Sequence, residues 1–120
     1  MPTETGKLYN GEEAAVLVEF ENHNQVEFLI DTGFSGFLCL PRSVLTELDL
    51  KISGTTDIEG IGLHSETLYV CVTNIFWLDE KLNDIEIIVN EGEDFLLGTK
   101  LLENTELYIN YKTGEVLINS

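Results

Sequence analysis

The sequence predicts a mainly β domain of short strands with one or two short helices. Three observations lead there. Apolar and polar residues alternate at period two in several stretches, clusters of Gly, Asn and Asp punctuate them, and no long segment keeps helical spacing. A chain of 120 residues is long enough to bury one core and too short for two. We expect a polar N-terminal segment over 1–12 and a single domain over 13–120.

Taken in chain order, Val16, Val18 and Phe20 alternate with Leu17 and Glu19, and after Asn22-His23-Asn24 the alternation resumes at Val26, Phe28 and Ile30, which predicts a hairpin. Beyond Pro41, a favourable first residue for a helix, Val44, Leu45 and Leu48 stand at helical spacing and predict a helix of one to three turns. Thr55 to Glu59 and Thr67 to Phe76 read as a second hairpin, tipped by Gly60-Ile61-Gly62. Asp79-Glu80-Lys81 reads as a turn into a strand over Ile85, Ile87 and Val89. The acidic loop 91–94 leads to Phe95-Leu96-Leu97-Gly98, a short helix over Thr99 to Glu103, a strand over Leu107 to Tyr111, a turn at Lys112-Thr113-Gly114, and a last strand over Glu115 to Asn119.

Charge narrows the partners. Six Lys and Arg against 22 Asp and Glu leave a net charge of −16. Such a field repels a nucleic-acid backbone and an anionic membrane, and both are excluded as partners. The polar N-terminus has neither a basic nor an apolar targeting region, so a cytoplasmic location is expected. Cys39 and Cys71 sit apart in apolar runs, without zinc-site spacing, and read as free core thiols. Neither a metal nor a cofactor is expected.

The chemistry centres on Phe28-Leu29-Ile30-Asp31-Thr32-Gly33, where a carboxylate ends an apolar strand and a glycine lets the chain turn sharply. A triplet so short draws its weight from context, since an Asp capping a turn is common. The context is a near-repeat. Leu96-Leu97-Gly98 running into Thr99-Lys100-Leu101-Leu102 echoes Leu29-Ile30-Asp31-Thr32-Gly33 and the segment after it, and between the two lies the glycine-tipped hairpin, of the kind that closes over a groove.

In this order of elements the chain resembles the retropepsin-like aspartic proteases of clan AA, in particular their single-domain prokaryotic members, over nearly its whole length from Ala14 to Ile118. The resemblance implies a small acid-protease barrel. It also implies a homodimer, because one chain carries a single Asp-Thr-Gly and such a site needs two. Two Asp31 carboxylates, too close to be ionised together, would share a proton and activate a water for attack on a peptide bond. By the same resemblance Thr32 braces the loop across the dimer, Gly33 admits the substrate backbone, Gly98 packs behind the loop, and Gly60, Ile61 and Gly62 form a flap over an extended polypeptide substrate. Two positions depart from the retroviral pattern. Phe34 replaces the usual Ala, implying a bulkier mouth, and Thr99 replaces an Arg that secures the dimer. The rival reading is a non-proteolytic module of the same fold that dimerises or binds peptides.

Overall fold

A computed structural model describes residues 2–59 and 65–120, with only the backbone described at 58, 59 and 65. Eleven strands are found among them: β1 (Thr3–Thr5), β2 (Lys7–Tyr9), β3 (Glu13–Phe20), β4 (Gln25–Ile30), β5 (Leu38–Pro41), β6 (Gly54–Glu59), β7 (Ser65–Trp77), β8 (Glu80–Asn90), β9 (Leu96–Leu97), β10 (Glu106–Asn110) and β11 (Glu115–Asn119). Among the described residues the one α-helical turn, α1, spans Thr99–Leu102. Gly60, Ile61 and Gly62, which carry the expected flap, lie outside the described residues.

The strands form two sheets. The larger runs β2-β3-β4-β9-β5-β8-β7-β6, and a further pairing of β3 with β7, Glu19 to Phe76 and Phe20 to Ile75, curls it around the core. The smaller runs β1-β11-β10. The polar N-terminal segment thus contributes β1 to the smaller sheet and β2 to the larger; the Asn10-Gly11 turn, where both residues take positive φ, leads from β2 back into β3, and the Glu4 carboxylate of β1 accepts the Leu78 N–H at 2.9 Å.

Alternation sorts each strand between two faces. Val16, Val18, Phe28, Leu38, Leu40 and Ile87 point into the main core, which also buries Trp77, its indole N–H donating to the Leu101 carbonyl at 3.2 Å. Cys39, Val70 and Ile88 point the other way into a small second cluster, with Phe34, Leu68 and Leu96 packed on it. Strands β5 and β8 are therefore covered on both sides, which is why their apolar residues run consecutively.

Two expectations are corrected. The helix after Pro41 shrinks to a 3-10 turn over Arg42–Val44, because Pro41 belongs to β5 and pairs with Asn90 of β8 in parallel register, so the chain is still extended where the helix would begin. Leu45, Leu48 and Leu50 still reach the core, carried there by successive turns. The turn placed at 79–81 falls at Leu78-Asp79, both at positive φ, so that Glu80 already pairs with Trp77.

Both thiols are free and buried. Burial pushes both upward in pKa, and Cys39 feels in addition a hydrogen bond from the Asn90 amide, which opposes the rise, and the Asp94 charge, which adds to it. The thiolate is the reactive form, so neither should react quickly with DTNB in the native protein, and both should react at once in guanidinium. Rapid labelling of the folded protein would contradict the burial.

Candidate active site

Strand β4 lies between β3, its antiparallel hairpin partner, and β9, which runs parallel to it with Leu29 beside Leu96 and Ile30 beside Leu97. Asp31 follows at the strand end. Its N–H donates to the Leu97 carbonyl at 2.9 Å, extending the β4–β9 ladder by one rung and fixing where the side chain emerges. The Asp31 carboxylate then accepts the Gly33 N–H at 2.9 Å, and its carbonyl accepts the Phe34 N–H at 3.1 Å. These bonds close a tight turn of the Asx type. Asp31 is half-buried, while Thr32 and Gly33 are exposed.

The loop is held from behind by the other half of the near-repeat. The N–H groups of Thr99 and Lys100, in the first turn of α1, donate to the carbonyls of Phe34 and Gly36 at 2.8 and 3.2 Å, and the Gly98 N–H donates to the Phe37 carbonyl at 2.9 Å. Orphan donors of a helix start thereby satisfy the carbonyls of the Asp31 loop. Gly98 lies so close that an added Cβ would sit 2.6 Å from the Phe34 carbonyl oxygen, with the Gly36 carbonyl oxygen closer still. Only glycine fits there.

Phe34 is placed differently from the expected bulky mouth. Its ring lies back over Gly36 and against Gly98, half-buried in the cluster of Cys39, Val70 and Ile88. A side chain on either glycine would displace it, since an added Cβ would come within 2.6 Å of the ring at Gly36 and 2.7 Å at Gly98.

Asp31 and Thr32 open onto a cleft of about 350 Å³. Leu29 and Leu96 line it from the large sheet, and Leu107, Ile109 and Tyr111 from β10 and the turn beyond it. A slightly larger hollow of about 470 Å³, between Trp77, Phe37 and α1, includes none of Asp31, Thr32 and Gly33. Of the residues singled out by sequence, Asp31, Thr32, Gly33 and Gly98 come together here. The wall from β10 escaped sequence reasoning. Its signal, the alternation of Leu107, Ile109 and Tyr111, was present, but alternation does not say which loop a strand face meets.

An aspartyl protease family model matches residues 16–101, a span from β3 through the Asp31 loop to α1. The chain belongs to the aspartyl protease family. The fold of this aspartyl protease is similar to that of a retropepsin-like aspartic protease from Rickettsia conorii, with a TM-score of 0.66 at 18% identity, over 98% of this chain and 89% of that one. It is also similar to the EIAV protease complexed with the inhibitor HBY-793, with a TM-score of 0.63 at 17% identity, over 81% and 91% of the two chains. A third likeness is to the foamy viral protease-reverse transcriptase in complex with an RNA/DNA hybrid. There the TM-score is 0.51 at 18% identity, over 80% of this aspartyl protease and 13% of the larger chain. No curated protein matches. At these identities the likenesses establish a mainly β, retropepsin-like fold.

Proposed function

We propose that the chain is an aspartic endopeptidase that works as a homodimer, with Asp31 of each subunit forming the catalytic pair. The observation that carries this reading is a single carboxylate held by the Gly33 N–H at the end of β4, open to a cleft, in a chain of the aspartyl protease family. One carboxylate of the pair, ionised, takes a proton from a water; the water attacks the scissile carbonyl; the other, protonated, donates a hydrogen bond to the forming oxyanion. No cofactor enters. Thr32 supports the loop across the dimer, Gly33 leaves room for substrate backbone, and Gly98 backs the loop. Gly60, Ile61 and Gly62, between β6 and β7, cover an extended polypeptide, and the cytoplasm is the proposed setting.

The pair also sets a pH dependence. Bringing two carboxylates together makes the assembled pair hold its shared proton more tightly than either separated chain does. A group that binds its proton more tightly in the assembled state favours assembly while the proton is bound, and that contribution is lost as pH rises. Repulsion between two subunits of −16 each acts in the same direction, being relieved by salt. Casein hydrolysis, with sedimentation velocity in parallel, should therefore be strongest in mildly acidic buffer with added NaCl and weakest in alkaline buffer without it. Activity that climbs steadily into alkaline buffer, or a monomer that cleaves, would overturn the shared-proton pair. Peptide binding with no hydrolysis at any pH would favour a peptide-binding module.

A further inference from the structure

We propose that the enzyme selects polypeptides with a lysine or arginine beside the scissile bond, and that Glu12 and Glu13 impose the choice. This rests on the protease reading above and names its substrate class. The cleft that holds Asp31 is apolar where Leu29, Leu96, Leu107 and Ile109 line it, and Glu12 and Glu13 complete the lining. Among the described residues no Lys, Arg or His lines it. The backbone fixes where the two carboxylates stand. Asn10 and Gly11, both at positive φ, turn the chain from β2 into β3, the Glu12 N–H donates to the Tyr9 carbonyl at 2.9 Å, and Glu13 pairs with Tyr9 in the first rung of β3. Both residues are exposed. Among the described residues the ion pairs are made by Glu19, Glu21 and Glu91, so no cation of this chain neutralises Glu12 or Glu13.

A Lys or Arg side chain matches both features of the cleft, with an apolar stem for its lining and a cation for its carboxylates. An exposed ion pair is worth little in water, but a seated substrate excludes water from the cleft and strengthens it. An acidic side chain in the same place would meet Glu12, Glu13 and the ionised member of the Asp31 pair, and is rejected. A neutral side chain is accepted and gains nothing from the carboxylates. In a homodimer the cleft occurs twice, so the preference extends to both sides of the scissile bond. The net charge of −16 acts at longer range, drawing cationic chains toward the enzyme whatever their sequence. Only carboxylates in the cleft make the choice depend on where the cation stands.

The test starts from casein digested by the full chain, with cleavage sites mapped by mass spectrometry. Lys and Arg should be enriched next to the cut bonds. In a peptide built on the best site, changing the flanking Lys to Met should lower kcat/KM about 10-fold, changing it to Glu about 100-fold, and moving it to the peptide's end should have the same effect as Met. Glu12→Gln with Glu13→Gln should cleave the Met peptide like the wild type and lose the preference for Lys. Glu86→Gln with Glu93→Gln makes the same change of charge at exposed positions outside the cleft, and should keep it. A second measurement needs no variant: raising NaCl from about 0.05 to about 0.5 M should erase most of the Lys-to-Met ratio, a ratio in which any gain in dimer cancels. The proposal is overturned if the wild type cleaves without regard to flanking cations, if the preference survives in Glu12→Gln with Glu13→Gln, or if the control pair loses it equally. Tighter binding of the Lys peptide than the Met peptide in fluorescence anisotropy, dependent on Glu12 and Glu13 and without hydrolysis of either, would support the selectivity and overturn the protease reading. Hydrolysis with no such preference would do the reverse, and neither binding nor hydrolysis would overturn both.

Discussion

Asp31→Asn should lower peptide hydrolysis by about 10³-fold or more while leaving fold and dimer intact. The substitution keeps volume and shape, and the amide oxygen of Asn can still accept the Gly33 N–H that shapes the loop. What disappears is the carboxylate. Neither subunit can then take a proton from water, and no proton is shared between the two. Because the mutant pair also loses its like-charge repulsion, the dimer should hold at least as well in neutral buffer as the wild type does. Casein cleavage, CD melting and sedimentation velocity on the same preparations would check all three parts, and a statine-type inhibitor should bind the wild type only. Casein cleavage by the purified variant at the wild-type rate would remove Asp31 from the catalytic role.

Gly98→Ala should destabilise the fold strongly. The residue has φ −101° and ψ −177°, extended backbone that any residue adopts, so the cost is purely steric. The added carbon would collide with the carbonyl oxygens of Phe34 and Gly36, which already accept hydrogen bonds from α1, and with the Phe34 ring. Backbone oxygens anchored on both sides cannot move aside as a flexible side chain would. A destabilisation of about 3 kcal/mol is expected, with a fall in Tm of about 10 °C. Gly54→Ala is the control, since its added carbon would meet the Val70 side chain at an ordinary 3.7 Å and should leave Tm nearly unchanged. Equal melting of the two variants would show that the loop is not packed against Gly98. A folded Gly98→Ala protein should also lose activity, because any relief of the clash moves the loop that carries Asp31.

Local pattern was enough for much of this architecture. The β3–β4 hairpin was legible because one face of each strand is buried and the other is wet, so burial writes itself as a period of two. Asp31-Thr32-Gly33 and Leu96-Leu97-Gly98 were legible as related pieces because each joins an apolar strand to a glycine at a turn. Where both faces are covered the period vanishes. Leu38, Cys39, Leu40 and Pro41 are all buried, and Pro41 reads locally as a helix start although parallel pairing with β8 keeps it extended. Strands β1 and β2 are three residues each, too short for any period to show, and exist because β11 and β3 offer them partners. The direction of the Phe34 ring was equally hidden, since it depends on space left by Gly36 and by Gly98, which is 64 positions further along the chain. So was the meeting of β10 with Asp31. Residue types and their spacing carried the chemistry of this chain, whereas strand register, ring placement and the walls of the cleft came from contacts between segments distant in sequence, whose energies no local pattern records.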